Sequence, residues 1–415
     1  MAQYVETKKQ TQVEVIKKGL LNALLAFQHL IAMFGATILV PIITGLDPSV
    51  ALFSAGIGTL IFHLCTKGKV PVFLGSSFAF IPVIVAVSTQ YNDLRYAQGG
   101  IFVAGMVYVL ISLIIKKIGT NKIRKFLPAQ VVGPMIIVIG VNLIPTALDM
   151  AGVNSFVNGE QGAATSLAIA IITLAIAIGI KKFSKGVIGQ FSIIIAVSIG
   201  YILSFILGQV DVNLIKEAGT IVIPNFTLPK FDLGAIIIII PVILAVLMEH
   251  IGDITTNGTI VRKNFIEDPG LNRTILGDGL ATMAAALIGG PANTTYGENT
   301  SVLAITKNYN PAILRLTAVF AILLSFVDKF GAIIKTIPNS VMGGISILLF
   351  STIAWVGVQT LKNEKIKMNP KNLIVMIAIL FIGLSGLFLP EAIGIKITES
   401  VSISGLSLAA IAGVI

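Results

Sequence analysis

The chain has 415 residues, 55% hydrophobic and only 12% charged, where a soluble domain carries roughly 25% charge. That leaves too little polar surface for water, and the mean hydropathy of +0.95 points to a bilayer. The net charge of +10 lies in short clusters between apolar runs, which argues against a nucleic-acid partner. A single cysteine, Cys65, rules out an internal disulfide and makes a thiolate metal centre improbable.

Residues 1–19 form a polar, cytoplasmic N-terminal segment carrying Lys8, Lys9, Lys17 and Lys18, without the apolar core and cleavage site of a removable signal. Beyond it, apolar runs of about 17–25 residues alternate with charged gaps, the length that crosses hydrocarbon as a helix. Fourteen segments are predicted, near 20–44, 49–65, 71–88, 99–118, 127–148, 162–180, 187–208, 233–253, 274–290, 293–306, 311–327, 338–356, 371–389 and 400–415. The chain stops at Ile415 inside an apolar run, so the last helix, or a tail beyond it, is expected to be incomplete.

Loop charge tests this count. With a cytoplasmic N-terminus the inner loops hold Lys67 and Lys69; Lys116, Lys117, Lys122, Arg124 and Lys125; Lys181, Lys182 and Lys185; Arg262, Lys263 and Arg273; Lys307; and Lys362, Lys365, Lys367 and Lys371. The outer loops hold only Arg95, Lys216, Lys230, Lys329, Lys335 and Lys396, and Arg315 starts a helix. This asymmetry is what the positive-inside rule predicts for an inner (plasma) membrane protein.

Two segments break the pattern. Pro71 to Pro82 is bracketed by prolines and interrupted by Gly75-Ser76-Ser77; Gly289 to Thr300 is rich in Gly, Pro, Asn and Thr. Such residues break helices, and hydrocarbon tolerates unpaired backbone only where protein or a cavity covers it. Each is the third span of its seven-span half. Gln28-His29 and Glu249-His250, like Phe78 and Glu298, lie about 220 positions apart, an internal repeat by spacing. Seven is odd, so the second copy must be inverted, and paired broken segments in inverted repeats mark a transporter's midplane site.

Ionisable groups inside a membrane are expensive and usually functional. Glu249, Asp253, Asp278 and Glu298 are the candidates. Asp253 shares a helical face with Glu249 and is expected either to line the site or to orient His250 or Glu249. Glu298 follows Gly297, which lets backbone approach a ligand closely, and Tyr296, with an apolar face and a polar tip. For Asp278 a packing role and a proton or ion role stand equally. His29, His63 and His250 lack metal-ligand spacing; His29 and His250 are expected to support the site from behind. No metal and no Walker sequence is expected.

At these residues the chain resembles the nucleobase–ascorbate transporter family, in its pyrimidine branch. The resemblance spans nearly the whole chain and rests on Gln28-His29-Leu30 with Ala32-Met33-Phe34-Gly35-Ala36-Thr37, Gly75 to Phe80, Glu249-His250-Ile251-Gly252, and Asn293 to Asn299. It implies an all-α polytopic membrane protein of fourteen spans in two inverted seven-span repeats, 20–208 and 233–415, with short strands in broken spans three and ten. It also implies a core domain from 20–118 and 233–327 and a gate domain from 127–208 and 338–415, with a homodimer through the gate domains.

By family position Glu249, Glu298, Phe78, Gly297, Ala36 and Tyr296 are expected to bind substrate. Glu249, His250, Asp253, Gln28, His29 and Asn299 are expected to serve proton coupling or stand behind the site. The implied activity is import of uracil or a related nucleobase coupled to protons by alternating access, with no other cofactor and no enzymatic step. A purine (xanthine) permease, or an anion carrier or passive facilitator of the same fold, stays open. Three departures bear on this: Asp253 stands where some pyrimidine carriers have histidine, Ser301 where the family often has glycine, and Lys307 where purine-selective members often have arginine.

Overall fold

The computed structural model describes residues 2–119, 128–184, 186–363, 366, 369–389, 392–396 and 402–414. The inner-loop residues Lys122, Arg124, Lys125, Lys185, Lys365 and Lys367, and the terminal Ile415, lie outside the described residues.

The first helix, α1 (Ala2–Thr44), starts well before the apolar run expected at residue 20. A tight turn leads into α2 (Pro48–Cys65). Asp47 caps it by accepting from the amides of Ser49 at 2.8 Å and Val50 at 3.3 Å, and Pro48 takes the first turn, where its missing N–H costs nothing. Then the chain departs from helix. Strand β1 (Leu74–Ser76) gives way to a 3-10 turn (Phe78–Phe80) and α3 (Ile81–Tyr91). Helices α4 (Leu94–Ile118), α5 (Ala129–Met150), α6 (Ala163–Phe183) and α7 (Ser192–Ile206) complete the first half.

The eighth expected span is two helices, α8 (Leu233–Ile239) and α9 (Val242–Val261), divided at Pro241, whose ring cannot continue the ladder. Next come α10 (Leu271–Leu287), β2 (Asn293–Thr295), α11 (Gly297–Thr306), α12 (Pro311–Ser325), α13 (Asn339–Asn363), α14 (Pro370–Leu384), a small hairpin of β3 (Gly394–Lys396) and β4 (Ser402–Ser404), and α15 (Gly405–Val414).

Among the described residues eight helices are long and apolar enough to cross a membrane, and Phe78–Tyr91, Ser192–Ile206 and Pro311–Ser325 are apolar but shorter. The segments expected at 71–88 and 293–306 are half strand and half helix, so neither contributes one continuous spanning helix. Ile171, Ile202, Phe205, Trp355, Ile374 and Phe381 stand exposed, an apolar surface suited to lipid and not to water. The chain is an integral membrane protein.

The two interrupted segments satisfy each other. β1 and β2 pair antiparallel, Leu74 with Thr295, Gly75 with Thr294 and Ser76 with Asn293. The pairing continues where the Ser77 amide donates to Ala292 O at 2.8 Å and the Tyr296 amide to Phe73 O at 3.1 Å. Buried backbone must find partners, and helix-breaking sequence leaves it none within its own span. Gly75 is demanded here: a Cβ at that position would lie 2.3 Å from the Tyr296 ring.

The helices pack as two groups. α1, α2, α4, α8, α10 and α12 pack together around the strands, and α5, α6, α7, α13, α14 and α15 pack together beside them. Small residues allow a close crossing in the first group: Gly105 of α4 faces Gly279 of α10, where a Cβ would meet backbone oxygen at 2.8–3.0 Å. The connection before α8 is an extended strap that the sequence did not announce. It bonds through the amides of Val222, Thr227 and Lys230 to the carbonyls of Phe326, Ile288 and Arg95.

Candidate functional site

A cavity of about 1110 Å³ lies between the two helix groups. One wall comes from the broken segments and α9: Phe78 and Ala79; Glu249, Gly252, Asp253 and Thr256; Thr294 to Glu298; and Ser301. The other comes from α5, α6 and α13, through Gln130, Ile136 and Ile139, Lys181, and Leu349, Thr352, Ile353 and Thr360.

Why these residues meet follows from the strand pair. Once the strands stop, α11 starts at Gly297 and the 3-10 turn at Phe78, so two helical N-termini are set side by side at the cavity wall. The first N–H groups of a helix have no partner within it, and the helix dipole favours acceptors there. Glu298 sits in the first turn of α11, where a carboxylate is best tolerated. Glu249, mid-helix in α9, and Asp253 one turn on reach the same cavity; all three carboxylates are half-buried.

Asp253 is held by strand β2, its Oδ2 accepting from Thr295 Oγ1 at 2.8 Å. It does not orient His250. That ring points away from the cavity, fully buried, with Nδ1 2.8 Å from Asp278 Oδ2. Asp278 is therefore the partner of His250, across from α9 on α10. His63, also fully buried, bonds the Val72 carbonyl through Nε2 at 2.9 Å and packs the approach to β1.

Tyr296 pins the two broken segments together: its hydroxyl donates to Ser76 O at 2.9 Å, and Thr37 Oγ1 lies 3.4 Å from it. Asn299 turns away from the cavity, its Nδ2 donating to His29 O at 3.0 Å with His29 Nδ1 3.2 Å off. Of the residues singled out from sequence, Glu249, Asp253, Glu298, Phe78, Tyr296 and Gly297 line the cavity. Gln28, His29, His250 and Asn299 do not. Ala36 is 1% exposed and packs in the cluster with Met33, Phe73 and Tyr296, one layer behind the wall. Lys181, read as an inner-loop residue, and Thr295 are on the wall and were missed. α6 continues to Phe183, past the run expected to end at residue 180, and so carries Lys181 onto the wall.

Phe78 meets the second group edge-on: its ring lies 6.0 Å from Phe350 of α13 at 79°. A second recess, of about 860 Å³, lies among the connections at the other end of the molecule, near Asp47, Asp93, Arg95, Gln98, Thr227 and Lys335. There Lys335 pairs with Asp47 at 2.9 Å, and Asp93 with Arg95 at 2.8 Å and Lys230 at 3.1 Å. Hydrogen bonds from Arg95 hold the Asp93 carboxyl below the usual carboxylate range.

The site can accept N–H groups with its carboxylates, donate backbone N–H to carbonyls, and flank a flat ring with Phe78. Comparison with known proteins agrees with a carrier. The profile of the Permease family matches residues 22–392. A uracil permease of Bacillus caldolyticus is 43% identical over 400 residues, 94% of this chain and 90% of that protein. A uracil permease of Escherichia coli is 39% identical over 392 residues, 94% of this chain and 89% of that protein. Among solved structures, the transmembrane domain of the cyanobacterial bicarbonate transporter BicA superposes with a TM-score of 0.63 at 16% identity, covering 95% of this chain and 97% of that one. That last likeness speaks to the fold alone.

Proposed function

This chain belongs to the Permease family, and on that premise we propose that it is a secondary active transporter that imports uracil together with protons by alternating access. The observation that carries the reading is that Glu249 and Glu298 share one cavity wall with the helical N-termini at Phe78 and Gly297. Uracil offers two N–H donors and two carbonyls on a flat ring. The carboxylates accept from the N–H groups, the free amides donate to the carbonyls, and Phe78 covers the ring. A base lacking those groups would leave buried polar atoms unpaired and be rejected.

The coupled proton travels on the carboxylates. A carboxyl group loaded with a proton outside can cross with the substrate as a neutral group, then release the proton inside. Asp253, steadied by Thr295, is a neighbouring charge that makes simultaneous ionisation of all three unfavourable. His250 with Asp278 braces α9 against α10 behind Glu249.

The architecture proposed with this function has fourteen membrane segments in two inverted repeats, an inside N-terminus and a plasma-membrane location. The antiparallel partnership of β1 and β2 supports the repeat, and loop charge supports the orientation. The helix group holding the strands would be the core and the other the gate, dimerising through gate helices. In that orientation the cavity opens inward, since Pro128, Lys181, Thr360 and Asn369 rim it.

An anion carrier of the same fold is the weaker reading, because three carboxylates against one lysine repel an anion. The test is uptake of labelled uracil into proteoliposomes under an inward proton gradient. Accumulation that an uncoupler abolishes is expected; accumulation unaffected by the uncoupler would overturn proton coupling.

A further inference from the structure

Lys181 stands on the cavity wall, and among the described residues that line the cavity it is the sole lysine, arginine or histidine. It belongs to α6, on the cavity wall opposite the one that carries Glu249, Asp253 and Glu298. No ion pair among the described residues engages its amino group. Lys182, next in the chain, is occupied elsewhere, with Nζ 5.5 Å from the centre of the Phe183 ring.

The two charges ride on adjoining parts of different bodies. α11, which begins beside Glu298, packs against the short helix Val187–Gln190 that follows α6. Lys181 and Glu298 line the same cavity from its two walls. The other ionisable groups around Glu298 are Glu249 and Asp253 of α9, Tyr296 at the end of β2, and His29 of α1 behind Asn299. The segment 187–190 brings none. Lys181 is thus the one cation opposed to an acidic wall, and it is carried by the body that must move relative to that wall if the cavity is to close.

We propose that Lys181 is the counter-charge that draws the inner mouth shut after proton and substrate have left. This rests on the proton-symport reading. A loaded carrier has Glu298 bonded to the substrate N–H and one charge of the carboxylate wall neutralised by the proton, and so offers the lysine less attraction. An unloaded carrier presents the full negative charge of that wall, and its attraction for the exposed ammonium at the rim strengthens as closure expels the water between them. Lys181 therefore speeds the return of the empty carrier and leaves the crossing of the loaded carrier alone. The same bias discourages a wasteful return with the proton still bound, because a wall that holds the proton gives the lysine one charge fewer to follow.

Two assays on reconstituted protein separate these steps. Net uptake of labelled uracil under an inward proton gradient needs the empty carrier to return; exchange of labelled uracil against unlabelled uracil trapped inside does not. Lys181→Ala and Lys181→Gln are expected to slow net uptake about fivefold or more and to keep exchange within about twofold of wild type. Lys181→Arg should restore net uptake, since it restores the charge. The intact exchange also reports a folded carrier. Equal loss in both assays for both neutral variants, or no loss in either assay, would overturn the role. Wild-type protein that neither takes up nor exchanges uracil would overturn the transport reading itself, and this proposal with it.

Discussion

Thr59 and Thr282 clasp opposite edges of the same two-stranded ladder. Thr59 Oγ1, from α2, accepts from the Leu74 amide at 2.9 Å and lies 3.4 Å from the Leu74 carbonyl. Thr282 Oγ1, from α10, lies 3.3 Å from the Asn293 amide and donates to the Asn293 carbonyl at 3.1 Å. Each hydroxyl closes the backbone groups that a strand leaves open on its outer edge, which a bilayer interior cannot otherwise satisfy.

Removing either clasp should loosen the site from behind. Thr59→Val and Thr282→Val keep the side-chain shape and lose the hydrogen bonds, at a cost of about 1–3 kcal/mol each for stranded buried groups. Thermal unfolding of the purified protein in detergent should show a lower midpoint for both. Wild-type midpoints in both variants would mean that the ladder edges do not need them.

The Tyr296 ring leaves no room for a methyl group at Gly75. Gly75→Ala must push the ring off its bond to Ser76, and overpacking of this kind costs about 1–3 kcal/mol. Because the displaced segment leads directly into Gly297 and Glu298, uracil affinity should fall roughly tenfold or more. Equilibrium binding of labelled uracil measures it; unchanged affinity would show that the ring position is not coupled to the site.

Glu298→Gln replaces an acceptor-only group with one that also donates. Loss of a charge-assisted hydrogen bond of about 1.5–3 kcal/mol predicts roughly 10- to 100-fold weaker uracil binding. Glu249→Gln should do the same. Wild-type affinity in either variant would remove that residue from the binding site.

At Asp253, two substitutions separate position from charge. Asp253→Asn can still accept from Thr295 and should keep uracil binding within a few-fold of wild type, while Asp253→Ala frees Thr295 and should weaken it further. If the two variants bind alike, the 2.8 Å bond to Thr295 has no bearing on the site.

Uptake should follow the proton gradient in sign. With the membrane potential held at zero and one proton per uracil, each pH unit of inward gradient, about 1.4 kcal/mol, allows about tenfold accumulation. Reversing the gradient should drive preloaded uracil out. Accumulation that ignores the direction of the gradient would point to a passive facilitator.

Some of this protein could be read from its sequence because the controlling physics is local. Hydropathy along the chain announced a bilayer, and proline and glycine marked Pro71–Pro82 and Gly289–Thr300 as places where helix must fail. Carboxylates placed in apolar runs singled out Glu249, Asp253 and Glu298, since a charge there is too costly to be idle. The tertiary structure decided what the broken backbone bonds to and which way each side chain turns. That β1 pairs with β2, that Thr59 and Thr282 close its edges, and that His250 takes Asp278 rather than Asp253 as partner are contacts between distant stretches of chain. Ala36 retreats behind the wall and Lys181 joins it because helix rotation and helix end are set by packing against neighbours, which no run of residues records on its own.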